Sequence, residues 1–369
     1  MIYLDYSAST PIDPRVIEKW VSVEKTYFAN ANSDHALGRE SKRRNDESIR
    51  IIADFFNVLP KEVIVTSSAV ESNNTAIKGL ALKFPTKKHL ITSALEHASL
   101  IGAVSYLAAS EYEIETLPLD YEGRYDLNAL ENMLRPDTLV VSLIAVDSET
   151  GIRQPIEEAA RLCRSKGVLF HTDITQLVGK GHYDLSEVDL ATASAHKVYG
   201  PKGVAVLIKK SKVPLVPLLH GGHSFTPYRA STPQNGLVAA MAEAFRLSEL
   251  EFDDRFNTVS MLNAFLKKEL ESIQGVHINS NTHSIPHLFN VSLIGSKPEA
   301  GLAYFSEHGL CFSSKSACSG LEELSNSVYA ITHDTALASS SYRISLSHLT
   351  TLDELKTLVK VMKAYLKTL

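Results

Sequence analysis

Three cysteines, Cys163, Cys311 and Cys318, are all that the 369-residue chain contains. Three cannot build a disulfide framework, and none sits in a C-x-x-C pair of the kind that holds zinc. No apolar run is long enough to span a bilayer. The strand-like Ile2-Tyr3-Leu4 follows the first methionine without a leader, so a cytoplasmic location is expected. Neither G-x-G-x-x-G nor a P-loop signature occurs, which leaves the common nucleotide sites without sequence support. His220-Gly221-Gly222-His223 is similar to a lipase oxyanion loop, but a hydrolase would also need a G-x-S-x-G elbow, and there is none. The net charge of −5 lacks the basic excess carried by general binders of nucleic acid or membrane surfaces. Internal repeats and low-complexity linkers are missing as well.

What the chain does have is enough apolar residue, 44%, to bury a full core, and enough length for two domains. Short apolar runs at 63–66, 89–92, 139–145, 168–172, 190–193 and 204–208 read as strands, with helical patterns at 70–82, 98–109 and 156–165 among them. That alternation predicts an α/β fold, a mostly parallel sheet with helices on both faces. After about residue 250 the texture changes. A long charged helix at 253–272 leads to runs at 288–293, 299–308, 310–313 and 343–346, then to a closing helix at 352–366. This reads as a smaller α+β domain completed by the first dozen residues. Residues 12–250 are therefore expected to form a large domain, and 1–11 with 251–369 a small one.

The most informative stretch is Ser194-Ala195-His196-Lys197, followed by Val198-Tyr199-Gly200-Pro201-Lys202-Gly203. Lys197 comes just after an apolar run and just before a Gly-Pro turn, at the end of a strand and on a stiff loop. A lysine held at one point in a cleft suits an amine that condenses with an aldehyde cofactor, although a lone lysine is more often a solvated one. Ser194 and His196 beside it are donors suited to a phosphate. Upstream, the run at 168–172 ends in Asp173, which can pair with a protonated pyridine nitrogen or cap a helix. Gln176 follows on the same turn, within reach of a phenolic oxygen. Residues 67–72 open a helix directly after a strand, where free N–H groups and the helix dipole favour phosphate. Arg343 lies in an apolar strand and needs an anionic partner, either a ligand carboxylate or a structural acid.

These residues belong to a longer ordered series. It runs through Tyr3-Leu4-Asp5-Tyr6-Ser7-Ala8-Ser9-Thr10-Pro11, Thr66-Ser67-Ser68-Ala69-Val70-Glu71-Ser72-Asn73-Asn74, Glu96-His97, Glu149-Thr150-Gly151, Asp173 with Gln176, residues 194–203, residues 229–232, residues 313–318 and Arg343-Ile344-Ser345-Leu346-Ser347. In this order, nearly end to end, the chain resembles the pyridoxal-phosphate cysteine desulfurases of the class V aminotransferase group. The resemblance implies the fold-type I architecture, with a mostly parallel seven-stranded sheet plus a smaller α+β domain, and pyridoxal 5'-phosphate as cofactor. Lys197 would carry the cofactor, Asp173 would face its ring nitrogen, and Gln176 and Ser148 would lie near its phenolic oxygen. Ala69, Val70, Ser194, His196 and, from the neighbouring subunit of a homodimer, Thr232 would hold its phosphate. His97 would stack on the ring and move protons, while Arg343 with Asn30 and Ser148 would hold the substrate, L-cysteine. Cys318, in a small polar run that reads as a loop, would attack the substrate sulfur. It would then pass a persulfide to an acceptor protein for iron–sulfur cluster assembly or tRNA or cofactor thiolation. Cys311, between Leu310 and Phe312, is expected in the core, and Cys163 in helix packing.

The chain departs from the family pattern in several places. Gly-Ala-Thr is replaced by Ser68-Ala69-Val70, which removes a phosphate-binding hydroxyl, and Asn-Asn-Glu by Asp147-Ser148-Glu149, which removes an amide. Arg-Ser-Gly-Thr reads Arg229-Ala230-Ser231-Thr232, Ser-Gly-Ser-Ala-Cys reads Ser314-Lys315-Ser316-Ala317-Cys318, and Asn-Pro-Ser reads Asn30-Ala31-Asn32-Ser33. Leu369 ends the sequence where housekeeping members continue into a scaffold-binding tail. A divergent desulfurase is expected. The alternatives are a selenocysteine lyase or aminotransferase of the same family, or a low-activity paralogue that serves as a binding module.

Overall fold

The computed structural model describes residues 1–222, 226–315 and 324–369. Its first strands are β1 (Ile2–Tyr3), β2 (Val63–Thr66), β3 (His89–Ser93), β4 (Glu113–Leu117), β5 (Thr138–Ile144) and β6 (Leu169–Asp173). They are followed by β7 (Leu190–Ser194), β8 (Ala205–Lys209), β9 (Val276–Ile278), β10 (Leu288–Leu293), β11 (Leu310–Cys311) and β12 (Ser341–Ser345). Seven strands form the main sheet in the order β2-β8-β7-β6-β5-β3-β4. This is the α/β architecture that the sequence predicts.

Every residue of β3, β5, β7 and β8 is buried. Such strands carry unbroken apolar runs because helices cover both faces of the sheet. Alternate residues divide between those faces. Ile64, Leu90 and Leu207 pack with Ile77 and Leu80 of the helix Ala69–Lys83 and Leu100 of the helix Ala98–Ala108. Val63, Ile91 and Val206 pack on the other side with Ala159 and Cys163 of the helix Ile156–Ser165 and Val238 of the helix Asn235–Leu250. A third cluster gathers Leu4, Val259, Leu266, Phe289, Val291, Phe305, Tyr342, Leu358 and Met362 around the antiparallel sheet β12-β10-β9. No helix among the described residues is long and apolar enough to cross a membrane.

Strand direction positions the site. β8 runs antiparallel to both of its neighbours, β2 and β7, whereas β7-β6, β6-β5, β5-β3 and β3-β4 pair in parallel. β8 is thus the one reversed strand, and the carboxyl ends of β2, β3, β5, β6 and β7 share one edge. Crevices outside such ends are where open α/β sheets bind ligands.

Candidate active site

Lys197 closes a short 3-10 turn, Ala195–Lys197, directly after β7. The turn is tight because Gly200 folds back on it. The Gly200 N–H donates to the Ala195 carbonyl at 2.9 Å, and a Cβ at position 200 would lie 2.8 Å from both Ala195 Cβ and its carbonyl oxygen. From above, the N-terminal segment clamps the turn. Thr10 N–H donates to the His196 carbonyl at 3.0 Å, and Tyr199 N–H donates to Thr10 Oγ1 at 2.7 Å. Lys197 Nζ donates to the carbonyls of Ser7 at 2.5 Å and Ala8 at 2.8 Å. The amine is therefore located by backbone on two sides.

Asp173 ends β6, where its Oδ1 accepts from Thr175 N–H and its Oδ2 from Asn73 Nδ2, each at 2.9 Å. The same Asn73 amide also donates to Ser99 Oγ at 2.9 Å, and Ser99 Oγ lies 2.8 Å from His97 Nδ1. One asparagine on the helix Ala69–Lys83 thus ties the acid to the histidine. His97 itself caps the helix Ala98–Ala108. Burial holds its imidazole below the ordinary value, with Lys197 and Arg343 adding to the effect and Asp173 opposing it, so it is neutral near pH 7. Next to it Glu96 is fully buried, which pushes its carboxyl up to about 8. Its Oε1 accepts from Ser93 Oγ at 2.7 Å and Ile144 N–H at 2.8 Å, which anchors the turn that presents His97. Burial and the nearby Lys197 bring His196 down to about 4.

Around these groups lies a cavity of about 200 Å³, lined by Ser68, Ala69, Val70, Ser148 and Arg343 together with His97, Asp173, Gln176, His196 and Lys197. Ser68 caps the helix Ala69–Lys83 by accepting from Glu71 N–H. The N–H groups of Ala69 and Val70 belong to the first turn, which has no helical acceptor. Ser67 is not a spare donor, because its hydroxyl and N–H are both held by Glu71, at 2.6 and 2.8 Å, and Glu71 in turn pairs with Arg229 at 2.8 Å. Arg343 donates to Asp5 at 2.9 Å and to the Ser148 carbonyl at 3.2 Å. Its Nε and the buried Thr175 hydroxyl find no partner among the described residues.

Not every residue read from the sequence lines this cavity. Ser194 is buried at the end of β7, one turn before Lys197. Thr232 is exposed. Asn30 is exposed too, and its Oδ1 accepts from Asn32 N–H within a local turn. Cys318 lies outside the described residues. Cys163 is buried on its helix as expected, but Cys311 is half-buried rather than in the core. Strand alternation explains this, since Leu310 and Phe312 turn inward and Cys311 between them turns away. Asn73, Ser99 and Asp5 carry site contacts that the sequence reading left unassigned. For Asn73 the available signal was its place in the run at residues 66–74.

The chain matches the aminotransferase class-V family over residues 2–358. It belongs to that family. A relative named cysteine desulfurase IscS, from Methylobacillus flagellatus, is 37% identical over 98% of this chain and 91% of its own length. The mitochondrial cysteine desulfurase of Saccharomyces cerevisiae is 37% identical over 100% of this chain and 75% of its own. A solved structure of a NifS-like protein superposes with a TM-score of 0.94 at 29% identity, covering the whole of both chains.

Pyridoxal 5'-phosphate is the cofactor of the class-V family, and the donor set fits it. The cavity offers an amine on a rigid turn, a buried carboxylate, the N–H groups of a helix start and the Thr175 hydroxyl, which has no partner among the described residues. One hydroxyl donor is missing at the helix start, where Val70 is half exposed. A hydroxyl-to-phosphate hydrogen bond contributes about 1.5–3 kcal/mol. Val70→Thr, nearly isosteric, should therefore slow loss of cofactor during dialysis by about tenfold, the lower end of that range. Unchanged retention would mean that the Ser68 hydroxyl already serves that oxygen.

Proposed function

We propose that this class-V enzyme is a cysteine desulfurase that takes sulfur from L-cysteine, releases L-alanine and holds the sulfur as a persulfide on Cys318. The observation that carries the reading is the meeting of Lys197, Asp173, His97 and Arg343 in one cavity, in a chain whose near full-length relatives bear the name cysteine desulfurase. When bound, the cofactor supplies an electron sink for the amino-acid skeleton. Asp173, steadied by Asn73 and Thr175, offers its carboxylate to the ring nitrogen. Lys197 holds and returns a proton at Nζ, and neutral His97, whose Nδ1 accepts from Ser99 N–H, carries its proton at Nε2 and can donate it there. Arg343 offers its guanidinium to the substrate carboxylate while Asp5 keeps the other side occupied. The Cys318 thiolate forms a bond to the substrate sulfur as the Cβ–S bond breaks. That electron pair stays with the carbon skeleton, and protonation there gives alanine.

The same proposal covers the assembly. Thr232 is exposed on the single chain, which supports its service to a neighbouring subunit in a two-fold homodimer with shared sites. The separate core cluster containing Leu4 and Val259 supports a division into residues 12–250 and residues 1–11 with 251–369. Transfer to an acceptor protein and a cytoplasmic location belong to the proposal as well. The direct test supplies L-cysteine and a thiol reductant and measures alanine and sulfide together. Equal amounts of both are expected. Amino transfer to a keto acid, with no sulfide, would point to an aminotransferase instead.

A further inference from the structure

Gln176 stands between two spaces. On one side it lines the cofactor cavity. On the other is Lys180, whose Nζ donates to Gln176 Oε1 at 2.8 Å and which lines a second cavity of about 10 Å³, room for a single water. Lys180 is buried, and among the described residues no carboxylate pairs with it. The ionisable groups facing it around the small cavity are basic or phenolic, namely Lys197, Arg255, His287, His348, Tyr6 and Tyr199, and Arg343 acts on it as a further cation. A buried cation in such company costs stability. Packing alone gives no reason for it, since methionine would fill the same space. Costly buried charge beside a cleft is a pointer to function.

The chemistry of the contact says which function. An ammonium only donates, so Gln176 must turn its oxygen to Lys180. Its Nε2 then donates one hydrogen to the Ser7 carbonyl at 2.9 Å and keeps a second for an acceptor in the cavity it lines. The Ser7 carbonyl also receives Lys197 Nζ, so one chain of hydrogen bonds joins the two lysines through Gln176. We infer that Lys180 is a positioning residue of the cofactor site, fixing the Gln176 amide by its oxygen end and lending positive charge to the N–H that faces the cofactor. Burial, then Lys197 and Arg343, bring Lys180 down to about 7, and an anion in the neighbouring cavity would restore its charge. The inference rests on the family cofactor and not on the choice of cysteine as substrate.

The test compares Lys180→Met and Lys180→Arg, each loaded with pyridoxal phosphate and free of substrate. The first measurement is the pH midpoint at which the visible absorption of the bound cofactor changes. Loss of the polarised donor and loss of positive charge both favour the protonated chromophore. The midpoint should therefore rise by about one pH unit in Lys180→Met and stay at the wild-type value in Lys180→Arg. The second measurement is the Tm of the cofactor-free protein, which should equal or exceed wild type in Lys180→Met because a buried cation has gone. An unmoved midpoint in Lys180→Met, or an equal shift in both variants, would overturn the inference. If Lys180→Met does not fold, Lys180→Gln, which keeps the polar group without the charge, is read in the same way. A wild-type protein with no visible band after loading would overturn the cofactor assignment instead, so the two failures are distinct.

Discussion

Alanine in place of Lys197 should leave a folded protein that no longer holds pyridoxal phosphate covalently. Lys197 is the one lysine lining the cofactor cavity among the described residues. Its turn is also secured without it, by Thr10 against His196 and by Gly200 against Ala195, so the loss should fall on chemistry and not on folding. Borohydride treatment followed by mass measurement of the denatured chain should add one cofactor to wild type and none to Lys197→Ala. Alanine formation should drop by about 10³-fold, in the middle of the range for a positioned proton-transfer group. A cofactor still trapped on the variant chain would place it on another lysine and remove the basis of the site described above.

Cys318→Ser should separate holding the substrate from taking its sulfur. Lys197, Asp173, His97 and Arg343 are untouched, so added L-cysteine should still perturb the visible band. Sulfide and alanine should nevertheless fall by about 10³-fold or more, because a hydroxyl lacks the nucleophilicity of a thiolate. No protein persulfide should form. Neither remaining cysteine can substitute. Burial pushes the Cys163 thiol up to about 12, and Cys311 sits on β11, paired with β1, away from the cofactor cavity. Undiminished sulfide from Cys318→Ser would move the enzyme from the desulfurases to the elimination lyases.

The parts of the fold that were legible in the sequence were those in which one face or two must be dry. Continuous apolar runs became the central strands β5, β7 and β8, and the helix expected at 352–366 is found as Leu352–Leu366. β4 was not read, because its Glu113-Ile114-Glu115-Thr116-Leu117 alternates charge at a sheet edge, where water reaches half of it. In the site, Lys197, Asp173, His97, Gln176 and Arg343 converge as their motifs suggest. Asp5 and Lys180 were invisible for a different reason. Their roles come from partners brought close by the fold, Arg343 for the first and the Gln176 amide for the second, and no local pattern of residues announces such pairings.

The N-terminal clamp has a consequence for how the enzyme comes into being. Asp5 meets Arg343 across 338 residues of chain, and Ser7 N–H meets Ser345 Oγ across the same span. Leu4 N–H donates to Cys311, and Ser345 N–H donates back to Leu4. A ribosome releases residues 1–10 long before β12, yet they cannot settle until β12 has emerged, and contacts of such sequence separation form slowly. The large sheet can fold while the chain is still growing, but the ceiling over Lys197 is laid last. Until then Lys197 Nζ lacks the Ser7 and Ala8 carbonyls that fix its position. The fixed position of the amine is therefore a property of the finished molecule.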